Sequence, residues 1–251
     1  MKKVAIFTEG QGELIFIRHL LVQLVGYNDL SFECFELHSE KLRTIPYRHV
    51  SPTAIIHYQI INVGTDEKVL SAIIERHEKL VERGYEIVGL RDMYSEAYQK
   101  RSHEIDQPTT TFFIETSRQI IAKSINLDKI HFYFAIMEFE AWLIAFHNNL
   151  ARLDSSLTPE NIEQRLQYDI LAIDPENYFF HPAVNFGEIL SPVGIKYDKS
   201  RDILERIVST LILDDFDAVL GKGICNSFSD FYLEIQRELA ELNEQDDYLS
   251  Q

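Results

Sequence analysis

The sequence predicts an α/β protein: a mostly parallel sheet flanked by helices over residues 1–150, with a mainly helical continuation packed on it over 151–251. Two observations carry the first half. Strand-length apolar runs recur at 3–7, 31–37, 55–63, 85–90 and 130–136. Most are separated by helix-length segments with apolar stripes, which is what parallel crossovers require. The second half rests on composition. Residues 154–195 hold four of the seven prolines, Pro159, Pro175, Pro182 and Pro192, which suits short helices and loops.

In chain order, strand 3–7 runs into Thr8-Glu9-Gly10-Gln11-Gly12-Glu13, and an apolar-faced helix 14–25 ends at Gly26. Residues 31–37 alternate imperfectly as a strand. The polar stretch 39–55 carries Lys41, Arg43, Arg48 and His49 between Pro46 and Pro52, and reads as a loop or hairpin able to touch a phosphate backbone. A strand from Ile55 to Val63 leads to Gly64-Thr65-Asp66, where Thr65 or Asp66 caps a helix reaching about Arg83. Tyr85 to Leu90 forms the next strand and delivers Arg91-Asp92-Met93-Tyr94. Residues 95–109 read as irregular, and a helix is expected over about 111–124. The apolar strand 130–136 then delivers Met137-Glu138-Phe139-Glu140 to a helix starting at Ala141. Further helices are expected at about 199–213 and 227–243, with 244–251 a frayed polar tail. Asp214-Asp215-Phe216-Asp217 lacks calcium-loop spacing and reads as a solvated helix end.

The balance of 24 basic against 40 acidic residues gives a formal charge of −16, which excludes global attraction to nucleic acid or anionic membrane. Binding a polyanion would need a local basic patch, a metal that screens carboxylates, or a basic partner. Cys34 and Cys225 are too few for a disulfide framework or a cysteine zinc site. With no 18-residue apolar run and no signal-peptide pattern, a cytoplasmic protein without a membrane span is expected.

Three strands end in carboxylates: Glu9, Asp92 and Glu138. Open α/β sheets place their chemistry at strand carboxyl ends, and hard divalent cations take oxygen ligands. The same acids also suit helix starts, where the macrodipole favours negative charge, and both readings stand at this point. Glu-Gly-Gln-Gly-Glu is too short for a dinucleotide or P-loop signature, and no nucleophile elbow or H-E-x-x-H occurs. Lys196 and Lys199 precede a helix and are placed either to hold a phosphate or as surface lysines.

Val4-Ala-Ile-Phe-Thr-Glu-Gly-Gln-Gly-Glu13 resembles the opening motif of TOPRIM domains, the fold of topoisomerases, primases and overcoming-lysogenization-defect nucleases. That fold carries a glutamate after its first strand and Asp-x-Asp after its third. Glu9 matches the glutamate, Glu13 the second acid of the nuclease branch, and Asp92 the first aspartate, while Tyr94 stands where the second belongs. A group of bacterial TOPRIM-like proteins encoded beside AAA or ABC-type ATPases is similar in four ordered blocks between residue 3 and about 235. Its Asp-x-Tyr, Glu-Phe-Glu-Ala-aromatic-Leu, Tyr-Asp-Lys and Ser-Phe segments are similar to Asp92–Tyr94, Glu138–Leu143, Tyr197–Lys199 and Ser227-Phe228.

The resemblance implies a TOPRIM-like sheet and a metal-dependent nuclease acting on DNA or RNA with an ATPase partner, in defence against phage. Glu9, Asp92 and Glu138 would hold Mg²⁺ or Mn²⁺, with Glu13 and Glu140 in or near a second site and Lys199 steadying transition-state charge. Tyr94 leaves a ligand place for Glu138 or Glu140 to fill, or weakens metal binding. Glu138 and Glu140 share a face if they extend the strand and diverge by about 200° in a helix. Two rivals stand beside this reading. One is an inactive interaction or regulatory module for the ATPase. The other is nucleotidyl transfer of primase type, disfavoured by the lack of a basic template groove.

Overall fold

In a computed structural model of the protein, residues 1–65, 68–124 and 127–249 are described, with the backbone alone for 127 and 241–249. The strands are β1 (Lys2–Thr8), β2 (Leu30–His38), β3 (Lys41–His49), β4 (Ile56–Asn62), β5 (Tyr85–Asp92) and β6 (Ile130–Ala135). They form one mixed sheet in the order β3-β2-β4-β1-β5-β6, parallel except for β3. The basic stretch after residue 39 is therefore a hairpin: β3 folds back on β2, with Ser39 and Glu40 at positive φ in the turn.

Helix α1 (Gln11–Val25) covers one face of the sheet, and α2 (Lys68–Glu82) covers the other. Alternation along β1 sends Val4 and Ile6 into the α1 core, and Ala5 and Phe7 into the α2 core. A parallel strand buried on both faces needs such a continuous apolar run. The cap expected at Thr65 or Asp66 involves Asp66, which lies outside the described residues. Two helices follow β5, α3 (Glu96–Gln99) and α4 (Gln107–Ile121). The helix expected over 111–124 therefore starts earlier, because Asp106 accepts the Thr109 N–H at 2.9 Å and Pro108 sits in the first turn.

The chain beyond β6 is helical: α5 (Glu140–Ala145), α6 (His147–Leu153), α7 (Pro159–Leu166), α8 (Pro175–Tyr178), α9 (Pro182–Leu190), α10 (Arg201–Val208), α11 (Leu213–Lys222) and α12 (Asn226–Leu249). The helix expected over 199–213 ends at Val208 as α10, and a further helix, α11, starts at Leu213 with Asp214 and Asp215 in its first turn rather than at a helix end. The expected frayed tail continues as helix to Leu249. Asp215 is not solvated: it is 2% exposed, pairs with Arg152 and accepts the Ile212 N–H at 2.9 Å.

These helices share the α1 core rather than forming one of their own. The Phe16 ring lies 5.9 to 6.3 Å from those of Phe139, Trp142, Phe146, Phe216 and Phe228. Sandwiched between sheet and helices, α1 buries Glu13 to Ile17 as well as Leu20 and Leu21, as expected for a helix apolar around most of its circumference. Among the described residues, no helix is long and apolar enough to cross a membrane.

Candidate metal centre

Strands β1, β5 and β6 are adjacent and parallel, so their carboxyl ends form one rim. Glu9 follows β1, and its Oε2 accepts the Asp92 N–H at 3.1 Å. Asp92 is the last residue of β5 and only 5% exposed. Glu13, in the first turn of α1, turns Oε2 back to accept the Gly10 N–H at 3.0 Å. Gly12 between them is required sterically, since a Cβ there would stand 2.7 Å from Cε1 of Phe139. The turn that carries Glu9 and Glu13 is thus packed directly against the segment that carries Glu138 and Glu140.

That segment is neither a strand extension nor a helix through both acids. Met137 has φ +61°, in the left-handed region, and its carbonyl accepts the Tyr94 N–H at 2.7 Å. Phe139 is helical in backbone and donates its N–H to Asp92 Oδ1 at 2.9 Å, and α5 begins at Glu140. Glu138 is held from the far side, where its Oε2 accepts the Ala183 N–H of α9 at 2.9 Å. Through this break both acids reach one lysine: Lys199 Nζ stands 3.6 Å from Glu138 Oε1 and 3.0 Å from Glu140 Oε1. The Tyr197 hydroxyl also donates to Glu140 Oε1, at 2.6 Å.

Glu140 is fully buried, and its Oε2 finds no hydrogen-bond partner. Buried carboxylate oxygens are normally satisfied, so this one is a place that a cation could serve. Asp92, Glu138 and Glu140 each offer a carboxylate oxygen, and these atoms lie within 4.8 Å of one another. Two of the three expected ligands, Asp92 and Glu138, are thus close together, and the third member of the group is Glu140 rather than Glu9. One oxygen on each of Glu9, Glu13, Asp92 and Glu138 is fixed by a main-chain N–H, the kind of support that orients a ligating carboxylate.

The electrostatics agree with the geometry. Burial, with repulsion from Glu140, pushes the Glu13 carboxyl up to about 7. Burial also raises Asp92 well above the ordinary aspartate range, reinforced by Glu13, Glu9 and Glu140. Glu140 is raised by burial and by Glu138, against the opposing pull of Lys199. Burial works against the Lys199 ammonium, but Glu140, Asp92 and Glu138 together hold its proton more tightly than usual. Each of the five sequence-predicted acids thus acts on the charge of another acid of the set or of Lys199. An all-oxygen, buried, like-charged set of this kind fits a hard divalent cation.

Two other groups among the described residues bring three metal-capable side chains equally close. In one, Asp174 and Glu176 are occupied by donors from Glu176, Cys225, Trp142 and Ser227. In the other, Glu238 pairs with Lys2 at 2.8 Å, and Glu234 with Arg237 at 2.5 Å.

Tyr94 brings no carboxylate to the rim. Its ring packs on Phe180 and His181, with centroids 5.4 and 4.9 Å away. Lys196 is exposed and absent from the ion pairs of the centre, so the lysine pair of the sequence divides, with Lys199 alone facing the acids. Sequence reasoning misses the supports of the centre: Ala183, the Tyr197 hydroxyl, and Ser227. Ser227 Oγ accepts the N–H of Ile136 at 3.2 Å and that of Trp142 Nε1 at 3.0 Å, and donates to Glu176, tying α12 to both ends of the Glu138–Glu140 segment. Tyr-Asp-Lys and Ser-Phe were the available signals, because both blocks lie far from the acids in sequence yet support them in space. Compared with protein-family models, with curated proteins and with solved structures, the chain matches none.

Proposed function

We propose that the protein is a TOPRIM-like metal-dependent nuclease, with Mg²⁺ or Mn²⁺ held by Glu9, Asp92 and Glu138, and Glu13 and Glu140 alongside. The observation that carries this reading is the orphaned, fully buried Glu140 Oε2 within a set of five acids at adjacent strand ends. When bound, a cation of this class polarises phosphoryl oxygens and makes water a better nucleophile at neutral pH. The chain's own residues supply the rest. Main-chain N–H groups aim the carboxylates, and the half-exposed Lys199 offers its ammonium to charge developing on a phosphoryl oxygen. The excess of acid supports a partner that presents the nucleic acid, and the resemblance supports an AAA or ABC-type ATPase acting in phage defence.

The test is cleavage of labelled single- and double-stranded DNA and of RNA with Mg²⁺ or Mn²⁺, by the chain alone and with the ATPase. Cleavage dependent on the cation and lost in Glu9→Ala and Asp92→Ala is expected, and cleavage that survives both changes rules the centre out. A second reading rests on the Lys199 ion pairs, which satisfy two of the five acids without any metal. The centre would then be a structural knot in a regulatory module for the ATPase. Absence of cleavage under every condition, with no cation bound, favours that reading.

A further inference from the structure

We propose that the centre takes a single divalent cation and that the Lys199 ammonium occupies the place of a second. The inference rests on the cation-site reading above, and concerns how many ions that site admits.

Four of the five acids divide by their partners. On one side, Glu138 Oε1 and Glu140 Oε1 both face Lys199 Nζ, at 3.6 and 3.0 Å. Glu140 Oε1 also takes the Tyr197 hydroxyl at 2.6 Å, and Glu138 Oε2 takes the Ala183 N–H at 2.9 Å. Three of the four carboxylate oxygens on this side therefore already have donors, and an ion bridging the two acids would have to displace the ammonium. On the other side, Asp92 and Glu13 make no ion pair among the described residues, and each has one oxygen held by a main-chain N–H. Glu140 belongs to both sides. Its Oε1 is turned to Lys199 while Oε2, fully buried, has no partner, and the residue groups closely with Asp92 and Glu138. One cation held by Asp92 and Glu140 would satisfy that orphan and leave the lysine in place, which narrows the ligand set proposed above by giving Glu138 to Lys199.

The lysine is set there by the backbone. Lys199 has φ +56°, the left-handed region that a side-chain-bearing residue enters only against a steric cost. The turn is locked on its other side by the Ser200 N–H donating to Asp198 Oδ1 at 3.0 Å, just before α10 starts at Arg201. Strain held at a rim residue whose only ion-pair partners among the described residues are two buried or half-buried acids marks a fixed position, not a mobile surface lysine.

The experiment is Mn²⁺ binding to the full chain, by equilibrium dialysis with metal analysis and by electron paramagnetic resonance, on the wild-type protein and Lys199→Met. One Mn²⁺ per chain with an uncoupled six-line spectrum is expected for wild type. Lys199→Met should admit a second ion and add the multiline signal of two ions about 4 Å apart. Two coupled ions in the wild-type protein overturn the proposal while leaving the cation reading intact. One ion in both proteins overturns the role given to Lys199. No ion in either overturns the cation reading itself. The wild-type spectrum decides the stoichiometry even if the variant fails to fold.

Discussion

Asp92 Oδ1 accepts the main-chain N–H of Phe139 at 2.9 Å, joining the last residue of β5 to the turn that carries Glu138 and Glu140. On the proposed reading Asp92 has two separable duties, charge toward a cation and an acceptor for a buried donor. Asp92→Asn keeps an acceptor oxygen and removes the charge. It is expected to fold with a near wild-type circular dichroism spectrum and to lose at least tenfold in Mn²⁺ affinity by calorimetry. Asp92→Ala leaves the Phe139 N–H buried without a partner and should cost about 1–3 kcal/mol more in urea unfolding. Equal Mn²⁺ affinity in Asp92→Asn and wild type would remove Asp92 from the ligand set.

Gly12 is the point where the Glu9–Glu13 turn touches the Glu138–Glu140 turn. A methyl group there meets the Phe139 ring, which is buried against Phe16 and cannot swing away freely. Gly12→Ala should destabilise the protein by about 1–3 kcal/mol, the usual cost of overpacking. Gly12→Ala combined with Phe139→Leu should recover part of this loss, giving a favourable coupling in the double-mutant cycle. Strict additivity in urea melts would show that the contact is not the reason for the glycine.

How much of this the sequence discloses follows from the range of the interactions. Glu9 and Asp92 are legible because an apolar run and the turn after it are local signals, and parallel strands put such turns on one rim. The start of α4 is also local, but Asp106 and Pro108 are easily absorbed into the polar stretch around them. The convergence of Glu138 and Glu140 is not legible from periodicity. It depends on the left-handed Met137 and on Lys199, which arrives 59 residues after Glu140. Asp215 looks like one more solvated acid until Arg152, 63 residues earlier, is seen beside it.

Glu176 gives the fold a pH dependence away from the centre. Its carboxylate accepts from Trp142 Nε1 and from the Ser227 N–H and hydroxyl, yet burial, with Asp174 nearby, raises it from 4.5 to about 7. Between those values the unfolded chain has released this proton and the folded chain still binds it. The folded state therefore binds more protons, and stability falls as pH rises through the window. A shift of this size corresponds to about 3–4 kcal/mol at most. Stability measured by urea melts should decline from pH 4.5 to 7 by this contribution, and Glu176→Gln should flatten the decline. An unchanged slope in the variant would assign the dependence to other groups.

Tyr197 supports Glu140 from the side opposite the orphaned oxygen, and its ring is wedged against Phe186 at 5.0 Å. Its hydroxyl donates to a buried carboxylate, and hydrogen bonds to charged acceptors contribute about 1.5–3 kcal/mol. Tyr197→Phe keeps the ring and its packing, so the expected loss in urea unfolding is close to that range, with little change in m-value. In a Glu140→Gln background the acceptor is neutral and the same change should cost less, by about 1 kcal/mol. The difference reports the charge on Glu140 in the folded protein. If Tyr197→Phe costs the same in both backgrounds, Glu140 is protonated there at the pH of the measurement. Repeating the cycle at saturating Mn²⁺ should then restore the difference, because a bound cation holds Glu140 ionised.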